Sequence, residues 1–168
     1  KKLLILLVIF LTTFSVKAQQ PQKITLEEIL QKGTFRAQSV YGLRSMNDGI
    51  HYTTLEKQTQ IVKYSYQTGE EVEVLFDITK VKDAPISSFS AYEFSNDETK
   101  ILLTTERKPI YRRSYTAEFY VWNSVTEELT QLSDKGAQQL ATFSPDGNYV
   151  AYVRDNNIFI KNLKFGST

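Results

Sequence analysis

Cysteine is absent from the 168 residues, and histidine, methionine and tryptophan occur once each. Without thiols there is no disulfide, no cysteine metal site and no thiol nucleophile, so the fold must hold by packing alone. The single histidine, His51, leaves no convincing zinc or iron ligand set, and a Ser-His-Asp triad would have to use it. No Gly-x-Ser-x-Gly elbow occurs at any of the seven glycines. His51 is therefore expected to be a packed or rim residue, and no cofactor is implied. A long basic stripe is also missing, which argues against nucleic acid as a partner.

The chain does contain one long apolar run. Lys1-Lys2 is followed by Leu3 to Leu11, a weaker stretch at Thr12-Thr13, and Val16-Lys17-Ala18 before Gln19. A positive start, an apolar centre and a small-residue cleavage site predict a secretory signal peptide over residues 1–18, since a membrane-spanning helix needs about 20 apolar residues. No cysteine follows Ala18, so a lipoprotein anchor is not expected. The chain opens on lysine, and its start is expected to be clipped. Cleavage removes three lysines and leaves 17 basic against 19 acidic side chains, a net charge of −2. The protein is expected to be exported, to the periplasm or the cell exterior, with membrane association left open.

Asp48, Asp97 and Asp146 lie 49 residues apart, each followed by turn residues and then an apolar β-type run. The stretches "SMNDGIHYTTL", "FSNDETKILLTTE" and "FSPDGNYVAYVRD" overlay through the turn. A period of about 40 to 50 residues is a mark of propeller blades. In the middle unit the four strands are read as Phe89 to Phe94, Lys100 to Thr105, Ala117 to Trp122 and Leu129 to Leu132. Ser95 to Glu98 and Ser144 to Gly147 are tight turns, the latter by its Pro-Asp-Gly order. Tyr66 to Glu70 and Asn123 to Glu127 join third to fourth strands. Ile101-Leu102-Leu103 and Tyr149 to Val153 are apolar on both faces, as strands between neighbouring sheets should be.

Ahead of the repeats, Thr25 and Glu28 form a capping box. A short helix opens at Leu26 to Leu30, and Gly33 is placed to end it. The third unit closes after a third strand, Asn157 to Leu163. Propellers have about four to eight blades, and an open blade leaves strand edges unpaired. The sequence thus predicts an all-β fold: an incomplete β-propeller with its first two blades and part of a third, made of four-stranded antiparallel blades. It is preceded by a signal peptide and a short helix. The domains are expected at residues 1–18, 19–34 and 35–168, the last truncated and belonging to a longer protein.

Candidate chemistry is sparse. Glu27-Glu28 reads as a solvated first helical turn, and Glu70-Glu71 and Glu127-Glu128 as exposed hairpin charge. Asn47 to Gly49 and Pro145 to Gly147 resemble fragments of calcium loops, without the ligand ladder that would follow. The exception is "KPIYRRSYTAEF". Between second and third strands the first unit has roughly Glu56 to Gln60 and the third Asp155-Asn156, but the middle unit has Arg107 to Thr116. Long loops on rigid scaffolds often carry function. An arginine held by flanking tyrosines would offer a planar fork of donors to a carbonyl or carboxylate. Alternatively, Arg112 and Arg113 pair with blade acids or stack on Tyr111 and Tyr115.

The run "TLEEIL", then "FSNDETKILL", "YRRSYTAEFYVW" and "LATFSPDGNYVAYVRDNNIFIK", resembles the start of dipeptidyl peptidase IV, in the prolyl oligopeptidase family of serine peptidases. The resemblance covers residues 24 to 163 in order, and Tyr111 to Tyr115 with Thr116-Ala117-Glu118 is its most specific part. It implies an eight-bladed propeller over a C-terminal hydrolase domain. It also implies removal of N-terminal dipeptides with Pro or Ala second, and a homodimer when full length. In the family motif, aromatic-Arg-His-Ser-Tyr, the Arg binds a substrate carbonyl; Arg112 occupies that position, and Arg113 stands where His is usual. The serine triad and the glutamate pair that grips the substrate amine would lie beyond Thr168. The competing reading is an exported, non-catalytic propeller of the TolB-like kind, which binds proteins and has no reason to keep the Tyr-Arg-Arg-Ser-Tyr insertion.

Overall fold

The computed structural model describes residues 23–37 and 42–167, so the predicted signal peptide lies outside the described residues. The chain divides into two units, residues 1–39 and 40–168. In the first, helix α1 (Leu26–Leu30) begins at Thr25 as the capping box requires. The Thr25 hydroxyl accepts from the Glu28 amide at 3.2 Å, and the Glu28 carboxylate accepts from the Thr25 amide at 3.2 Å. Two of the donors that a helix start leaves unpaired are thereby satisfied. Gly33, at φ +60°, ends this segment in a conformation open to glycine.

The second unit is built from strands joined to their sequence neighbours. Its strands are β1 (Arg44–Ser45), β2 (His51–Glu56), β3 (Gln60–Ser65), β4 (Glu71–Asp77), β5 (Ala91–Phe94), β6 (Lys100–Pro109), β7 (Tyr115–Asn123), β8 (Glu128–Gln131), β9 (Gln139–Phe143), β10 (Tyr149–Arg154) and β11 (Asn157–Asn162). They form three antiparallel sheets in the orders β1-β2-β3-β4, β5-β6-β7-β8 and β9-β10-β11. Two four-stranded blades and three strands of another therefore match the expected architecture. The first strand of the middle blade is shorter than expected. Phe89 leaves the ladder to donate its amide to the Gln58 carbonyl at 2.8 Å and buries its ring between blades.

The doubly apolar strands are explained by what lies on each side of the middle blade. Ile101 and Leu103 of β6 and Tyr120 of β7 pack with Ile61 and Phe76 of the first blade. The alternate residues Leu102, Phe119 and Val121 pack with Val150 and Tyr152 of the third. A period of two thus distributes one strand's side chains between two cores. Burying such large apolar groups, at about 1.5–3 kcal/mol each, makes adjacent blades cohere without any covalent cross-link.

The 49-residue spacing marks a recurring structural part. Asp97 accepts from the Ser95 hydroxyl at 2.6 Å, the Thr99 amide at 3.2 Å and the Thr99 hydroxyl at 2.8 Å. Asp146 accepts from the Ser144 hydroxyl at 2.5 Å, the Asn148 amide at 3.1 Å and the Asn148 side chain at 2.8 Å. Asp48 accepts from the amides of Ile50 and His51 at 3.0 and 2.9 Å and from His51 Nδ1 at 2.5 Å. Each carboxylate closes the turn ahead of its blade's second strand. Neighbouring turns also touch: Asn47 donates its amide to Glu98 and its side-chain nitrogen to the Asn96 carbonyl, both at 2.7 Å.

Candidate functional site

The second-to-third-strand connection of the middle blade stands apart from its counterparts. Sixteen residues separate Ile50 from Tyr66 and fifteen separate Asn148 from Leu163, whereas 25 separate Thr99 from Ser124, although all three pairs make the same amide-to-carbonyl bond. The extra length is not the open loop expected over Arg107 to Thr116. The β6–β7 ladder runs on to Lys108↔Thr116 and Pro109↔Tyr115, leaving only Ile110 to Ser114 as a tip. Proline ends the strand, a place where its missing donor is tolerated.

A β-bulge sits at the base of this arm. Thr105 pairs with Glu118, but the next pair is Lys108 with Thr116, so Glu106 and Arg107 lie opposite Ala117 alone. Glu106 takes φ +47°, the left-handed conformation that lets the strand bend. Ala117, with 0% of its surface exposed, is clamped on its other side by Gln138, through paired amide-carbonyl bonds of 2.9 and 2.7 Å. At the tip, the amides of Ile110 and Tyr111 both donate to the Ser114 carbonyl, at 2.9 and 3.2 Å.

The two arginines and their tyrosines are arranged differently from the expected alternatives. Arg112 and Arg113 are exposed at the tip. Among the described residues neither pairs with a carboxylate, and neither stacks on an aromatic ring. Tyr111 is 81% exposed. The Tyr115 ring is occupied by Arg107, whose guanidinium carbon lies 3.9 Å from the ring centroid. Arg107 is the member of the arm that the sequence did not single out; its only signal was a cation eight residues before a tyrosine, which an unrecognised bulge leaves without meaning.

The remaining candidates serve the scaffold. His51 is half-buried on the rim and engaged with Asp48. The Asp48 carboxyl is held down at about 2, first by its hydrogen bond with His51. The Asp97 and Asp146 carboxyls are also held at about 2, first by the hydroxyls of Ser95 and Ser144. These oxygens are directed at their own turns, not converged on a cation. Among the described residues no group of three or more His, Asp or Glu side chains is placed to hold a metal. Glu70 and the pair Glu127-Glu128 lie at or beside third-to-fourth-strand hairpins, with Glu71 opening β4, and all are exposed.

Blades of four antiparallel strands stacked face to face, with an arm raised from one of them, define a β-propeller portion. Residues 95–168 match the model of the family described as dipeptidyl peptidase IV (DPP IV) N-terminal region. Over 88% of its length the chain superposes on the crystal structure of Porphyromonas gingivalis dipeptidyl peptidase 4, at 41% identity and a TM-score of 0.74, covering 21% of that chain. A probable dipeptidyl-aminopeptidase B of Tuber melanosporum is 28% identical over 158 residues, which is 84% of this chain and 17% of the fungal protein. The human prolyl endopeptidase FAP is 29% identical over 139 residues, 82% of this chain and 17% of that protein. The chain thus spans about a fifth or less of the length of these relatives.

Proposed function

We propose that this chain is the start of an exported serine exopeptidase that releases N-terminal Xaa-Pro and Xaa-Ala dipeptides, and that its propeller gates access and contributes Arg112 to substrate binding. The observation that carries the reading is the arm itself. Its tip presents a guanidinium unengaged by any carboxylate or ring among the described residues, on a ladder closed at both ends. Relatives that carry the names dipeptidyl peptidase 4 and dipeptidyl-aminopeptidase B support the class of reaction. They also weigh against a propeller that only binds proteins.

The chemistry follows from the task. An exopeptidase must measure distance from the amine end of its substrate, so fixed groups have to hold both the ammonium and the first carbonyl. A planar, permanently charged donor suits the carbonyl. In this reading the ammonium is gripped by carboxylates of a later propeller segment. A C-terminal hydrolase domain provides the serine nucleophile with its histidine and aspartate partners. The complete enzyme is a homodimer, exported to the periplasm or the cell exterior.

A hydrogen bond from a charged donor contributes roughly 1.5–3 kcal/mol. Arg112→Ala in the complete enzyme is therefore expected to lower kcat/KM by about one to two decades, at about 1.4 kcal/mol per decade, while Arg113→Ala costs less. Steady-state kinetics on a Gly-Pro amide substrate measure this, and an unchanged kcat/KM for Arg112→Ala would contradict the assignment.

A further inference from the structure

The arm's tip can present Arg112 usefully only if the arm has one direction, and the blade does little to provide it. Toward the arm, β5 reaches along β6 only as far as Thr104, and β8 along β7 only as far as Tyr120. The ladder bond from Leu132 to the Phe119 carbonyl and the Gln138 clamp at Ala117 extend this support slightly. Beyond Thr105 and Ala117 the arm is a two-stranded ribbon, which on its own is marginal in water. Its side chains must therefore supply the order.

One cross-strand pair is built to do so. Pro109 faces Tyr115 in the ladder, and Arg107 stands two residues before Pro109 on the same strand. That makes Arg107 and Tyr115 diagonal neighbours, within reach for a long side chain and an aromatic ring. The bulge at Glu106 and Arg107 sets this register: removing one residue there would turn every later side chain of β6 to the other face. The guanidinium carbon then lies 3.9 Å from the centre of the Tyr115 ring. The contact spans both strands between the base of the arm and its tip. Arg107 has no carboxylate partner among the described residues, so the ring is its one charge-directed contact there.

We propose that Arg107 and Tyr115 are positioning residues for Arg112: their stack across the bulged ribbon fixes the direction in which the tip presents its guanidinium to a peptide carbonyl. This inference rests on the reading of Arg112 given above. The stack makes no contact with substrate; it acts through the orientation of Arg112.

The test is a double-mutant cycle in the complete enzyme, with kcat/KM on a Gly-Pro amide substrate as the readout. Arg107→Ala is expected to lower kcat/KM about threefold to tenfold, in keeping with the strength of an exposed cation–π contact and the sensitivity of positioned groups to small displacements. In an Arg112→Ala background the same change is expected to cost less than about twofold, because the group it positions is gone. Tyr115→Phe keeps the ring and should retain nearly full activity, whereas Tyr115→Leu should behave like Arg107→Ala. A loss at Arg107→Ala that persists undiminished without Arg112 would overturn the inference, as would no loss while Arg112→Ala is impaired. If Arg112→Ala is itself fully active, the reading of Arg112 falls first and the positioning role falls with it.

Discussion

At Asp97 and Asp146 one carboxylate oxygen accepts from a hydroxyl two residues before and from the amide two residues after, and the other accepts from the side chain of that later residue. Their acid groups sit at about 2, as does that of Asp48, below the ordinary 3.8. A carboxyl lowered on folding adds stability that is fully present above its unfolded value and lost as pH falls through its folded value. The blades are thus expected to lose stability between about pH 4 and pH 2. Replacing all three aspartates by asparagine should flatten the fall of the thermal midpoint across that window, and an unaltered slope would contradict the assignment. Gly147 holds the third turn at φ +65°, where an added Cβ would lie 3.3 Å from the Ser95 Cβ. Gly147→Ala is expected to cost about 1–2 kcal/mol from the left-handed backbone alone, measured by denaturant unfolding. This scale was the most legible in the sequence, because a turn built from one aspartate and its immediate neighbours is local chemistry. The Arg107–Tyr115 stack was not legible, since it depends on a bulge that no residue type announces.

At the scale of the element, β6 combines two behaviours in one strand. Its first half is central and, from Ile101 to Thr105, buried on both faces, and its second half, from Glu106, is exposed. The apolar run Ile101-Leu102-Leu103 made the first half readable in advance. The second half was misplaced because Arg107, Lys108 and Pro109 look like loop residues, while the ladder that holds them comes from Tyr115 and Thr116 across the arm. Leu102 and Leu103 project into different cores. Leu102→Ala and Leu103→Ala should each destabilise the middle blade by about 2–5 kcal/mol. Hydrogen exchange of the β6 amides is expected to accelerate for both. Near-neutrality of either change would mean that its face is not packed against a neighbouring blade.

At the scale of the whole molecule, the repeat implies that each blade is covered by the next. Phe159 of β11 packs toward the second blade, but Ile158 and Ile160, on the opposite face, are 77% and 58% exposed, and Leu140 is 79% exposed. An apolar sheet face with an open edge strand favours association. The 168-residue chain prepared alone is expected to self-associate in light scattering, and a monodisperse monomer at micromolar concentration would contradict this. The blade architecture was legible from the 49-residue period, whereas the proposed activity of the complete protein rests on the arm and on the relatives the chain resembles. The most direct test is to incubate the complete protein with an unblocked peptide carrying proline second and identify the products by mass spectrometry. Release of the intact N-terminal dipeptide is expected, and it should be abolished when the amine is acetylated. Cleavage at an internal bond regardless of the amine, or no cleavage by a folded protein, would contradict it.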